Sequence, residues 1–272
     1  PFPQVLLAEP WRPRQGVNSA RLNVPIGEVS DVSAVIATSD AFNELRAAAR
    51  LRLNWKETDF AFVGAWRGAG RNAVLGVDFR GTLLVGWWLE AAYLVGPNPH
   101  EELTAGIDYS FPVLERATVF LQYYRNGAGS TSPAPSDRLV TLGAGGSNAL
   151  PGSRRGQQDP FAPFTAGRDY ALLGATLVVV PDLTAAFVAL QNLNDGSGFA
   201  VPTVGYALFD WLDLSLSGQV PYALTARGGE FKPRPEELRL QLPGGDGRPP
   251  LTVDLSGLVP TATITLWARA SF

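Results

Sequence analysis

The 272-residue sequence contains no cysteine, no methionine and a single histidine, His100. Without cysteine there is no disulfide framework, no thiol nucleophile and no thiolate metal site, a composition that suits a cell-envelope protein. One histidine excludes a multi-histidine metal cage. Charge is also sparse. Asp, Glu, Lys and Arg make up 17% of the chain, below the usual quarter, and the net charge is −3 with no block of Lys or Arg. Nothing in that balance points to nucleic acid, and no motif implies a cofactor. Position 1 is not methionine, so the chain is expected to begin after a removed segment or to be a fragment of a longer one. A clean apolar run is missing as well. The best candidate for a membrane helix, residues 170–194, has Pro181-Asp182 at its midpoint, where a charge costs about 2.5–3.5 kcal/mol. That pair fits a hairpin better.

What the sequence does have is breakers, 29 Gly and 22 Pro, and a dominant period of two. In "LTAGIDYSF" (103–111), Leu103, Ala105, Ile107, Tyr109 and Phe111 share one face, and Thr104, Gly106, Asp108 and Ser110 the other. "LRLNW" (51–55), "NAVLGVDFR" (72–80), "LDLSLSGQV" (212–220) and the closing "TATITLWARASF" (261–272) repeat the pattern. Thirteen strands are expected at about 19–26, 31–38, 45–54, 58–67, 71–80, 83–95, 102–111, 116–125, 169–180, 183–192, 199–208, 211–221 and 260–272. Most are about ten residues long, nearer the roughly 9–11 of a tilted membrane-spanning strand than the usual five or six.

The connections alternate in length. Tight turns are expected at Trp55–Glu57, Gly81–Thr82, Pro112–Glu115, Pro181–Asp182 and Phe209–Asp210. The intervening joints include two long loops, about 126–168 and 222–259, the second with a short strand at "LRLQL". Short turns on one side and long loops on the other are the asymmetry of an outer-membrane barrel. Aromatic residues gather at strand ends: Trp55, Phe79, Phe111, Phe209, Trp211 and Phe272 by the short turns, and Trp66, Tyr93, Tyr123, Phe199 and Tyr222 by the long loops. Two such belts are expected where a barrel meets both membrane interfaces. The expected architecture is therefore all-β: a single-domain antiparallel transmembrane β-barrel of about 12–16 strands spanning 1–272, its last strand closing beside its first. The alternative is a large soluble β-sandwich or propeller with the same aromatics in its core.

The segment "TITLWARASF", alternating and ending in Phe272, resembles the terminal signature of bacterial outer-membrane β-barrels. The resemblance implies that Trp267 and Phe272 form part of an insertion signal read by the barrel-insertion machinery. "RPRQGVNSARLNVPIGEVSDVSAVIA" (12–37), "LGVDFRG" (75–81) and "LQNLNDGSGFAVPTVGYAL" (190–208) are similar to stretches of porin-like barrels of the alginate-export and related kinds. In such relatives these stretches follow further N-terminal strands, so an N-terminal part of the barrel is expected to be missing here. The implied location is the bacterial outer membrane, with outer-membrane lipid and lipopolysaccharide as surroundings.

With the polar set turned inward, the expected pore-lining residues are Arg46, Arg50, Arg52, Asp59, Arg67, Asp78, Arg80, Glu90, Asp108, Gln122 and Arg269, joined by Arg21, Asn23, Glu102, Asp213 and Gln219. Arginines on the early strands and acids on the next would set a transverse field across a water-filled lumen. The same charges could instead pair and fill the interior, as in small barrels. The expected function is a porin-like channel for passive or facilitated diffusion of small polar solutes, with Arg46, Arg50 and Arg52 favouring anionic or carboxylated ones. One long loop folding inward would form a constriction. A non-transporting barrel, serving as an anchor or an envelope-complex subunit, is the alternative; a homo-oligomer fits either. A hydrolase would need His100 beside a serine and an acid, whereas "NPHEE" reads as a solvated loop tip. Asn192, Asn194 and Asp195 could offer oxygens to Ca²⁺ but lack the spacing of a calcium loop and read as a turn. Glu236-Glu237 reads as an exposed pair, and "GAGG" (143–146) lacks the context of a phosphate loop.

Overall fold

The computed structural model of the chain describes residues 18–38, 45–68, 72–96, 99–131, 167–225, 229–232, 239–242, 251–254 and 262–270. Among these residues there is no helix. The strands are β1 (Asn18–Ile26), β2 (Ser30–Thr38), β3 (Leu45–Trp55), β4 (Thr58–Arg67), β5 (Asn72–Thr82), β6 (Gly86–Val95), β7 (His100–Phe111), β8 (Arg116–Asn126), β9 (Asp169–Val180), β10 (Leu183–Asn192), β11 (Ser197–Phe209), β12 (Leu212–Ala223), β13 (Arg239–Leu242), β14 (Leu251–Asp254) and β15 (Thr263–Ala270). Thirteen of them follow chain order in one antiparallel sheet, β1 through β12 and then β15, while β13 and β14 form a separate hairpin. These thirteen lie within a few residues of the segments that alternation marks. Among the described residues β1 pairs with β2 alone and β15 with β12 alone, so the pairing that would close the sheet is not formed.

One expected turn is misplaced. β5 runs on through Gly81 and Thr82, and the chain reverses at Leu83–Val85, where Leu83 N–H donates to the Val85 carbonyl at 3.1 Å. The cause is Trp87, which pairs with Gly81 in the register; a Cβ at Gly81 would lie 2.9 Å from the indole. The glycine is a slot for a ring across the ladder, not a turn signal.

The chain forms two compact units, one holding β1–β6 and the start of β7, the other the rest of β7 and the later strands. In the first, the register carries Arg21, Asn23, Asp31, Ser33, Arg46, Arg50, Arg52, Asp59, Asp78, Arg80 and Glu90 onto one face. The opposite face exposes Leu22, Ile36, Leu53, Trp55, Phe62, Trp66, Leu75 and Tyr93. In the second, Phe120, Tyr124, Tyr170, Leu172, Leu190, Phe199, Thr203, Ser215, Ser217 and Arg269 share the corresponding face. Leu121, Leu173, Val204, Tyr206, Leu208, Leu216, Ile264 and Leu266 are exposed on the other, the last two at 79% and 73%.

Among the described residues only three hydrophobic side chains are buried: Ala61, Leu94 and Tyr170. All three lie on the face that carries the polar residues, not on the apolar one. A soluble domain does the reverse, hiding its large aliphatic side chains and leaving charge outside. The described aromatic residues expected near strand ends are found there on the apolar face, with one correction. Phe199 points to the polar-bearing face, opposite Leu190 and Pro221, and so leaves the loop-side belt. Phe272 lies outside the described residues.

Packing on the polar-bearing face of the second unit uses another slot. Phe120 opposes Gly174 between β8 and β9, and a Cβ at Gly174 would overlap the phenyl ring. A Gly174→Val substitution is therefore expected to lower stability by about 1–3 kcal/mol as overpacking. Combining it with Phe120→Ala should recover part of the loss. Urea midpoints of the two single variants and the double variant check this; strictly additive losses would contradict the slot.

Candidate functional site

Two groupings of polar side chains stand out, one in each unit. In the first unit the expected pore-lining residues fall into rows running across the strands. Near the short turns, one row contains Asp31, Arg52, Ala61, Asp78 and Glu90, and the next contains Asn54, Asp59, Arg80 and Trp88. These rows are laced by charge. Arg52 Nε is 2.9 Å from Asp31, Arg80 reaches Asp78 at 2.8 Å and Glu90 at 2.6 Å, and Asn54 donates to Asp59 at 2.7 Å. Arg52 and Arg80 are well exposed, so each pair adds no more than about 1 kcal/mol to stability. Their effect is to cancel charge locally.

Further toward the loop side the rows change character. Arg50 lies with Asn23, Ser33, Val63, Gly76 and Ala92; Arg21 lies with Val35, Ala48, Ala65, Val74 and Leu94. Arg46 lies with Ser19 and Ala37, and its β4 register partner is Arg67. From β1 to β6 none of these rows contains an acid. Arginine set among mostly small or uncharged residues defines this half of the face. Asp31 and Asn54 belong to the charged rows although composition alone does not single them out. Asp31 becomes legible once β2 is set against β3.

Other expected residues are placed as follows. Asp108 alternates with Ser110, whose Oγ is 2.9 Å from Thr118 Oγ1. Gln122 faces Leu172 across the ladder on the face of Phe120 and Tyr124. Arg269 opposes Asp213, and Trp267 opposes Ser215 on the same face. His100 is no solvated loop tip. It opens β7, is 8% exposed, and sits with Nε2 3.7 Å from Glu102 Oε1, because β7 begins two residues earlier than the alternation suggests. Glu236-Glu237 and "GAGG" lie outside the described residues.

The second grouping sits at the loop end of β9–β12. Glu230, in the loop after β12, is 4% exposed. Its Oε2 accepts from the Tyr170 hydroxyl, from Asn192 Nδ2 at 2.8 Å and from Gly167 N–H at 3.3 Å. Tyr170 and Asn192 are register partners on β9 and β10 and are themselves fully buried. The neighbouring Phe231 packs edge-on against Phe199, centroids 5.2 Å apart, and against Tyr170 at 6.2 Å; Tyr124 stacks on Tyr170 at 6.1 Å. The loop backbone is held too. Glu230 N–H donates to Asp195 Oδ2 at 2.6 Å, and Phe231 N–H donates to Ser197 Oγ at 3.1 Å. Residues 229–232 thus fold onto the polar-bearing face.

The turn "NLNDGSG" builds the receiving surface. Asn192 Oδ1 accepts from Asn194 N–H at 2.8 Å, and Asn194 Oδ1 accepts from Arg168 N–H and Asp169 N–H at 2.9 and 2.8 Å. Asp195 Oδ1 accepts from Ser197 N–H and Oγ at 2.8 and 2.7 Å. The oxygens considered for Ca²⁺ are thereby engaged by protein donors, and the turn reading holds. Among the described residues no group of three or more His, Asp or Glu could hold a metal. The sequence signal for Glu230 is faint: one Glu-Phe pair after Gly228-Gly229 in a polar loop. No family model matches the chain, and neither does any curated protein.

Removing the Glu230 carboxylate takes the acceptor from the Tyr170 hydroxyl and the Asn192 amide, each costing about 1–3 kcal/mol when unsatisfied, while Gly167 N–H keeps the Tyr170 oxygen at 2.6 Å. Glu230→Ala should free the loop, seen as faster tryptic cleavage after Arg227, while Glu230→Gln, which keeps an acceptor oxygen, should be cut at an intermediate rate. Gly229→Ala should resemble Glu230→Ala, since its Cβ would overlap Ser197. Equal cleavage of all four proteins would refute the docking.

Proposed function

We propose that the chain is a porin-like channel of the bacterial outer membrane, a transmembrane β-barrel passing small polar solutes with a preference for anions. The observation that carries this reading is the inverted burial. Large aliphatic and aromatic side chains cover one face of the strands and have no protein over them, while the other face gathers the charges. Exposed apolar surface on that scale marks contact with a non-aqueous phase or another molecule. Eleven of the thirteen sheet strands have 9–12 residues, one 8 and one 13, which suits a tilted crossing of about 9–11. Lipid demands that every backbone group be paired, which a closed sheet alone provides. On this reading the partners are outer-membrane lipid, lipopolysaccharide and the insertion machinery.

The anion preference rests on the rows. On β1–β6 the arginines 21, 46, 50, 52 and 80 share the polar face with the acids 31, 59, 78 and 90. The acids lie in the two rows nearest the short turns, together with Arg52 and Arg80. Arg21 and Arg50 lie in rows that carry no acid from β1 to β6, where neighbours such as Ala48, Ala65, Gly76 and Ala92 leave room for a solute. A ring of basic side chains in such a place lowers the energy of a passing anion.

A second reading, a non-transporting barrel acting as an anchor or complex subunit, is favoured by the ion pairs and by the docked Glu230–Phe231 segment, both of which fill the polar-bearing side. Planar-bilayer conductance decides between them. The channel reading predicts discrete conductance steps and anion-selective reversal potentials. Arg50→Glu/Arg52→Glu should lower the anion-to-cation permeability ratio several-fold at 0.1 M salt, and much less at 1 M, where the screening length falls from about 10 Å to about 3 Å. A folded, inserted protein without conductance would select the second reading; unchanged selectivity in the variant would remove the role given to the arginines.

A further inference from the structure

The contacts of Glu230 and Phe231 are those of a bound dipeptide. Its carboxylate meets the Tyr170 hydroxyl, Asn192 Nδ2 and Gly167 N–H; its ring meets Phe199 and Tyr170; and its two backbone N–H groups are accepted by Asp195 and Ser197. The receiving groups belong to β9, β10, β11, the turn between the last two, and Gly167 just before β9. They are fixed there by bonds that do not involve the loop. Asn192 Oδ1 is held by Asn194 N–H at 2.8 Å, Asp195 Oδ1 by Ser197 at 2.7 and 2.8 Å, and Gln191 Nε2 bridges the Asn192 and Ser197 carbonyls at 2.9 and 3.0 Å. Gly167 completes the cradle, since a Cβ there would strike the Asn192 amide and lie 2.6 Å from the Tyr170 hydroxyl. Here both charge and ring are read.

We propose that this cradle is a peptide-binding site on the solute path, recognising an acidic residue followed by an aromatic one, with Glu230–Phe231 as its tethered occupant. The proposal rests on reading the polar-bearing face as that path. An incoming peptide replaces the loop contact for contact: its carboxylate accepts from the same three donors, its ring takes the place of the Phe231 ring, and its N–H groups donate to Asp195 and Ser197. A tethered competitor has a local concentration in the millimolar range, so the intact protein binds such peptides weakly and lets them exchange.

The test is calorimetric titration of the full chain in detergent with acetyl-Glu-Phe-amide. Glu230→Ala/Phe231→Ala should bind it saturably and about ten-fold or more tighter than the unaltered protein, the tethered competitor having been removed. Acetyl-Gln-Phe-amide should bind the double variant more weakly, and adding Asn192→Ala or Tyr170→Phe should reduce binding of the Glu peptide. Absence of saturable binding to a double variant that keeps its heat-modifiable gel migration would overturn the proposal, as would equal binding of the Gln peptide or indifference to Asn192 and Tyr170. Should the double variant fail to fold, Gly229→Ala, which blocks docking and leaves the cradle intact, is titrated in its place under the same criteria. Calorimetry needs no conductance, so a protein that binds the peptide but passes no current would count against the channel reading alone.

Discussion

A strand pairs its backbone on both edges and throws its side chains alternately to two sides. When one of those sides is aliphatic over most of thirteen strands, something apolar must cover it. Here the chain itself does not: Leu22, Ile36, Leu75, Leu216, Ile264 and Leu266 all stand exposed, and the few buried hydrophobic residues lie on the other side. At roughly 25 cal/mol per Å² of apolar surface, leaving such a face in water would cost more than a domain's whole margin of stability. On the proposed reading, hydrocarbon covers that face.

The same sorting explains the polar side. Charges excluded from one face are concentrated on the other, where they must be hydrated or paired. Both solutions occur in the first unit. Asp31, Arg52, Asp78, Arg80 and Glu90 pair near the short turns, whereas Arg21 and Arg50 lie in rows of small uncharged residues. In the second unit the corresponding face is more apolar, with Phe120, Leu172, Leu190 and Phe199, and it is there that a loop can dock. Glu230 is tolerated because Tyr170, Asn192 and Gly167 satisfy it.

Strand positions were legible because alternation is a local property, and each strand carries its own copy of the signal. Gly81 shows the limit. In sequence it looks like a turn, and only the register reveals Trp87 across from it. His100 fails because β7 starts two residues early and buries it; Phe199 stands near a strand end, but alternation within β11 sets it on the face opposite Val204, Tyr206 and Leu208. The charged face was legible residue by residue, but its division into rows with acids and rows without them depends on strands meeting at particular offsets. The docking of Glu230 was not legible at all. It joins residues 60 and 38 positions apart, and nothing local marks the loop glutamate as the one that will be buried.

The absence of cysteine makes the central claim directly measurable. Single cysteines at positions 46 to 54 of β3, spin-labelled in protein reconstituted in lipid, can be probed for collision with oxygen and with a water-soluble nickel chelate. The account predicts opposed period-two profiles: oxygen accessibility peaking at 47, 49, 51 and 53, chelate accessibility at 46, 48, 50, 52 and 54. Flat profiles, or chelate reaching both sets equally, would contradict an apolar face immersed in hydrocarbon.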